Sequence, residues 1–321
     1  WFGSTRRVVT CYSQGVNQSA QGTDKVNAIL NCHLATGMIG KPGSGPLSFT
    51  GQPNAMGGRE VGGLANILAA HMGFSAAERD LVQRFWQAPN LVAGEGLKAV
   101  QMFDAIAAGR IRALWVMGTN PAVSLPRADA VRAALSQLDL LVVSDNVTAT
   151  DTTTRAHVTL PAAAWGEKDG TVTNSERRIS RQRAFLPLPG EARPDWWIMC
   201  EVARRLGFGD AFAYSPPAEI FDEHARLSGF ENAPGSDETR RAFDISGLAG
   251  LDRAAYDDLA PVLWPLRRGG EPRERLFAEG DYFTPDRRAR FVPVTAPVRA
   301  VPLSPEWPFT LNTGRIRDQW H

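Results

Sequence analysis

Cysteine is scarce in this chain of 321 residues, with three in all, Cys11, Cys32 and Cys200. They are odd in number, far apart and form no C-x-x-C pair, which excludes a disulfide framework and a cysteine metal site. They read as buried structural thiols, and this usage suits a reducing compartment such as the cytoplasm. Excess charge of either sign is also missing, with 35 Lys and Arg against 34 Asp and Glu for a net charge of +1. A nucleic-acid binder driven by phosphate neutralisation is thereby disfavoured. No run of about eighteen apolar residues occurs, so no segment reads as membrane-spanning. His33, His71, His157, His224 and His321 show no metal-ligand spacing. A G-x-G-x-x-G fingerprint is absent, which leaves an ordinary NAD site without support. The chain starts at Trp1, without Met or a signal peptide, and stops at His321 soon after an apparent strand. It reads as an internal piece of a longer protein.

Apolar residues make up 43% and charged residues 21%, the proportions of a globular protein, and the length suits one large or two ordinary domains. The most informative segment is Thr50 to Gly63, TGQPNAMGGREVGG. Glycine and proline disfavour helix and strand, so this segment is expected to be a loop. Its glycines allow the backbone to approach a large polar ligand. Gln52 and Asn54 supply donors and acceptors, and Arg59 supplies a fixed fork for an oxyanion. Glu60 is its only carboxylate.

Periodicity predicts a strand at Arg7–Tyr12, a helix at Gln21–Thr36 and a helix at Val61–Met72. A helix at Leu97–Gly109, a strand at Ala113–Met117 and a helix at Arg127–Leu138 follow. Further strands are expected at Leu140–Val143 and Val158–Leu160, and helices at Trp196–Leu206 and Pro217–Leu227. This β-α-β order with short connections predicts an α/β fold, a parallel sheet wound with helices. Ligands in such sheets sit beyond the carboxyl ends of the strands, here Gly118-Thr119-Asn120 and Ser144-Asp145. Asp145 there can accept from a ribose or a guanine edge. Trp165–Arg178 reads as polar and turn-rich, Ser228–Gly280 as a surface excursion, and Leu276–Val294 as a hairpin with F-T-P-D at its turn. Arg177, Arg178, Arg181 and Arg183 read as a solvated basic face. Pro297–Pro308, with four prolines, reads as a linker.

Eight segments in order carry a family resemblance: Tyr12–Gln18 (YSQGVNQ), Leu34–Pro46 (LATGMIGKPGSGP), the Thr50–Gly63 loop, Trp115–Pro121 (WVMGTNP), Val142–Asp145 (VVSD), Leu160–Gly170 (LPAAAWGEKDG), Asn174–Arg178 (NSERR) and Thr313–Arg315 (TGR). Together they resemble the molybdopterin oxidoreductases of the dimethyl sulfoxide reductase family and, within it, the bacterial assimilatory nitrate reductases. The resemblance implies a parent with molybdenum held by two molybdopterin guanine dinucleotides, a [4Fe-4S] cluster and the molybdenum ligand outside this chain. It implies reduction of nitrate to nitrite by oxygen-atom transfer, with a ferredoxin, a flavodoxin or an NADH-linked subunit as electron donor. Formate dehydrogenases and periplasmic nitrate reductases of the same family are alternatives, as is a metal-free scaffold subunit of the complex I type. Thr50 stands where some formate dehydrogenases carry an arginine, which favours nitrate.

The resemblance also assigns residues. Gln14, Gln18 and Gln52 would contact the cofactor, Gln52 close to the metal, and Arg59 would meet the anionic substrate. Asn120, Ser144 and Asp145 would hold a guanosine, with helix capping the structural rival. Lys168 and Asp195 would also touch the nucleotide, an N-cap being the rival for Asp195. Thr313, Gly314 and Arg315 would touch a pterin phosphate. The implied organisation is a partial α/β domain over 1–296, a linker over 297–308 and, from 309 to 321, the first strand of a truncated barrel domain.

Overall fold

Short apolar runs separated by helices pair in parallel, as their order predicts. The computed structural model describes residues 1–232, 241–295 and 302–311. The chain divides into two compact units, one formed by Trp1–Pro53 with Arg273–His321 and the other by Asn54–Pro272.

In the first unit β1 (Val9–Tyr12) is followed by α1 (Gln14–Asn17) and α2 (Gly22–Ala35) before β2 (Gly45–Ser48). β2 lies parallel to β1, with Tyr12 opposite Ser48. Buried His33 on α2 meets Thr10 on β1, Nε2 to Oγ1, at 2.9 Å. Asn31 fastens α2 to a distant segment by donating to the Val292 carbonyl at 2.8 Å. The expected hairpin at 276–294 shows no paired strands; Tyr282 and Arg287 close a turn there instead.

The second unit opens with α3 (Ala55–Glu60). This corrects the expected loop. Two central glycines cost the helix roughly 1 kcal/mol each, but tertiary anchors at both of its ends outweigh that cost. Gly57 is required here because a Cβ would collide with the Asn54 side chain. The helix expected over 61–72 does not form. Gly62 takes φ 82° and lies too close to the Leu68–Ala69 backbone for any side chain. Ala70 and His71 then adopt left-handed φ values of 55° and 58°.

α4 (Ala76–Trp86) begins at a capping box, Ser75 and Glu78 bonding each other's backbone N–H. α5 (Ala99–Ala107) leads into β3 (Ala113–Met117), then α6 (Pro121–Ser124), α7 (Ala128–Leu135), β4 (Leu140–Asp145) and β5 (Val158–Pro161). These strands form a three-stranded parallel sheet in the order β3-β4-β5. Leu141 and Val143 on its central strand are wholly buried, and Phe103, Ile106, Val131 and Leu135 of α5 and α7 pack in the same core. Covering the sheet with helices is what lets its middle strand carry the apolar run Leu140–Val143.

The polar stretch after Trp165 is not merely turns. It forms β6 (Gly170–Thr173) and β7 (Arg178–Gln182), antiparallel, turned by Asn174, whose Oδ1 accepts from the backbone of Glu176 and Arg178. α8 (Asp195–Arg205), α9 (Pro217–Gly229) and α10 (Arg253–Asp257) follow. β8 (Val262–Leu263) then pairs with β7. The supposed surface excursion after Ser228 is core instead: Phe243, Ile245, Tyr256 and Trp264 are buried. The basic face is corrected at Arg181, while Arg183 is exposed as expected. The Arg181 side chain is 2% exposed, pairs with Asp169 and with Asp257 (2.8 Å), and covers the Tyr256 ring at 4.1 Å. Cys200 is buried as expected, but Cys11 and Cys32 are exposed. Among the described residues no helix is long and apolar enough to cross a membrane.

Candidate functional site

The carboxyl ends of β4 and β5 open into a crevice of about 240 Å³, lined by Asp145, Val147, Thr148, Pro161, Glu167 and Glu191 among others. Asp145 is the last residue of β4 and lies opposite Pro161 of β5. One carboxylate oxygen accepts from the Val147 N–H at 3.0 Å, which shapes the turn after the strand. Among the described residues the other oxygen has no partner. Glu167 caps the turn at Ala164 through its backbone N–H, at 2.7 Å. Three carboxylates in one crevice suit a ligand rich in N–H and O–H donors and repel phosphate.

Asn120 and Ser144 stand at neighbouring strand ends but do different work. Asn120 Oδ1 accepts from Thr152 Oγ1 at 2.7 Å, and Thr152 Oγ1 accepts from the Ala122 N–H at 3.3 Å. That relay secures α6 without the Asn120 side chain capping its own helix. Among the described residues the Asn120 amide nitrogen has no hydrogen-bond partner. Ser144 is 1% exposed, and its hydroxyl accepts from Trp115 Nε1 at 2.8 Å, within the sheet and away from the crevice lining.

Lys168 and Asp195 come together as one pair, Nζ to Oδ2 at 2.6 Å, each about one-third exposed. The capping alternative for Asp195 does not hold, because it is the first residue of α8, after Pro194, and no side-chain cap forms. A parallel bridge between Ala162 and Arg193 brings this helix start alongside the end of β5.

Arg59 is exposed on α3 while its neighbour Glu60 is 3% exposed. Among the described residues Arg59 has no carboxylate partner. Thr173 Oγ1 and Trp264 Nε1 each donate to the Glu60 carboxylate at 2.7 Å. Burial pushes the Glu60 pKa up to about 7, against the pull of those two hydrogen bonds. His71 is crowded by the Phe243 and Trp264 rings, with centroids at 5.1 and 5.7 Å, while part of its side chain stays open to solvent. Burial, then the Arg59 charge, lowers its pKa. His224 lies against the same Phe243 ring, tilted 30° with centroids 5.3 Å apart, and burial, then the His71 charge, lowers its pKa to about 4. Sequence reasoning missed this group. The lone carboxylate in a glycine-rich segment was the available signal.

In the first unit, Ser13 donates to the Phe49 carbonyl at 2.8 Å and Asn17 to Ser48 Oγ at 3.3 Å. The segments carrying Gln14 and Gln18 and the one carrying Gln52 therefore leave adjacent parallel strands side by side. Gln18 and Gln52 are exposed, and Gln52 accepts from Thr50 Oγ1 at 2.8 Å. Thr313, Gly314 and Arg315 lie outside the described residues.

Residues 6–205 match the molybdopterin oxidoreductase family. The chain belongs to that family. It is 53% identical to a nitrate reductase of Klebsiella oxytoca over all of this chain and 36% of that protein. It is 33% identical to an F420-dependent formate dehydrogenase subunit alpha of Methanocaldococcus jannaschii, over all of this chain and 44% of that one. It is also 33% identical to the assimilatory nitrate reductase catalytic subunit of Bacillus subtilis, over 96% of this chain and 42% of that protein. The chain thus spans 36–44% of the length of these relatives. As a molybdopterin oxidoreductase it needs residues that suit a polar molybdenum–pterin cofactor. The donor-accepting crevice at Asp145, the cation at Lys168 and the exposed carboxamides at Gln18 and Gln52 are chemically of that kind.

Proposed function

We propose that this chain is part of the catalytic subunit of a cytoplasmic molybdenum nitrate reductase that reduces nitrate to nitrite by oxygen-atom transfer. The cofactor would be a bis(molybdopterin guanine dinucleotide), with a [4Fe-4S] cluster elsewhere in the parent and a ferredoxin, a flavodoxin or an NADH-linked subunit as donor. In this reading residues 1–296 belong to the α/β dinucleotide-binding part, 297–308 connect, and 309 onward start the barrel domain.

Arg59 is the observation that carries the substrate assignment: an outward guanidinium with no carboxylate partner among the described residues, suited to drawing in and orienting an oxyanion. Asp145 would accept from the guanosine N–H and O–H groups, helped by the amide donors of Asn120. Lys168 would neutralise a phosphate, with Asp195 holding its ammonium in place. Ser144 would act through the sheet, by fixing Trp115. Gln14, Gln18 and Gln52 would bond the pterin or pyrophosphate, and Thr313, Gly314 and Arg315 a pterin phosphate. When bound, the metal–pterin group supplies the redox chemistry, and these residues supply binding and orientation.

The similarity to formate dehydrogenases over the whole chain keeps formate oxidation as the second reading. Assays of the full-length parent with nitrate plus a reduced dye, and with formate plus an oxidised dye, decide between them. Nitrite production with molybdenum and pterin present is expected. Formate-dependent dye reduction alone would replace the nitrate reading, and a parent without pterin or metal would point to a scaffold.

A further inference from the structure

A buried carboxyl stands directly beside an exposed cation that has no carboxylate partner among the described residues. Glu60 ends α3 and turns inward, while Arg59, one residue earlier and about 100° around the helix, turns outward. Among the described residues no cation pairs with Glu60. Burying a carboxyl without such a pair opposes folding. What it makes in return is one hydrogen bond from Thr173 and one from Trp264.

Both donors stand at one end of the antiparallel sheet. Thr173 ends β6 opposite Ile179, and Trp264 follows β8, where Leu263 lies opposite Arg178. The other end of α3 hangs on the same strand, because Asn54 Oδ1 accepts from the Thr173 N–H at 2.9 Å. Thr173 therefore holds α3 at both ends, by its backbone before the first turn and by its hydroxyl at the last. The helix itself supplies little stiffness, since α3 has six residues with glycines at 57 and 58.

We infer that Glu60 is a positioning residue: with Thr173 and Trp264 it fixes the rotation of α3 and so aims Arg59 at the anion. This deepens the proposed function and rests on it for the identity of the anion.

The chemistry of the clamp picks the variants. Glu60→Gln keeps it, because the amide oxygen can accept from Trp264 and the amide nitrogen can donate to Thr173 Oγ1. Glu60→Ala loses both bonds, and Thr173→Val, nearly isosteric, loses one without touching Glu60. In the full-length parent, kinetics with whichever anion it turns over are compared with hydrogen exchange of residues 54–63. Glu60→Ala and Thr173→Val are expected to raise KM for the anion about tenfold or more, with kcat changed less and pterin retained. Exchange over 54–63 is expected to quicken by about tenfold, with Glu60→Gln near wild type in KM and exchanging no faster than wild type. The inference fails if Glu60→Ala and Thr173→Val leave KM and loop exchange unchanged. It also fails if all variants, Glu60→Gln included, lose pterin and stability together, which marks a merely structural carboxyl. A parent that turns over formate, or neither anion, while its exchange follows this order, sinks the nitrate reading and leaves the clamp standing.

Discussion

Replacing Glu60 by Gln should change how the stability of this protein depends on pH, and the structure sets the size. The carboxyl is 3% exposed, and burial raises its pKa from 4.5 to about 7. In the unfolded chain the group ionises near its ordinary value, while the folded chain holds the proton to higher pH. The proton's contribution is thus complete below about pH 4.5 and is lost as pH rises through about 7. At about 1.4 kcal/mol per pKa unit, that loss approaches 3 kcal/mol by about pH 8. Glu60→Gln cannot ionise and keeps the bonds the neutral acid makes. The two proteins should match near pH 5, and the Gln variant should be ahead by about 2–3 kcal/mol near pH 8. Urea unfolding at a series of pH values, with both proteins in the same buffers, measures this. Their difference is the right quantity, because His71 and His224 titrate in both. Their lowered pKa values give stability that is present above about pH 6.5 and lost as pH falls. Parallel curves for the two proteins from pH 5 to 8 would refute a proton held at Glu60.

Three further outcomes are expected. Gly57→Ala should destabilise by about 1–3 kcal/mol through the clash with Asn54, whereas Gly58→Ala, with open space around it, should gain up to about 1 kcal/mol; urea midpoints distinguish them. Ser75→Ala should cost about 1 kcal/mol by removing the capping box of α4, seen as a lower melting temperature. Lys168→Ala breaks a pair that is 36% and 32% exposed, so stability should fall by less than about 1 kcal/mol. Pterin nucleotide retained by the purified parent should fall clearly, and unchanged retention would remove Lys168 from the binding set.

Much of the α/β part was legible because its signals are local. Ala113–Met117 and Leu140–Val143 are short apolar runs, Arg127–Leu138 has helical spacing, and Gly109 closes a helix. These place Asn120 and Asp145 at strand ends without a structure. Ser75-x-x-Glu78 was equally local, and a reading for capping boxes would have found α4. The hairpin of β6 and β7 was hidden because its strands are polar and Arg-rich, with Arg181 neutralised by Asp169 and by Asp257, far along the chain. Phe243, Tyr256 and Trp264 looked like surface because their partners come from distant segments rather than from periodic neighbours.

Local chemistry by itself determined the parallel sheet, the polar strand tips and the family, since strand propensity, turn glycines and motif order need no distant partner. Tertiary structure alone decided that a glycine-rich stretch coils into a helix, that Ser144 faces Trp115, that Lys168 pairs with Asp195 and that Glu60 turns inward. Each of those outcomes depends on a group many residues away, and the free energy of such long-range burial and bonding exceeds the preference of the local chain.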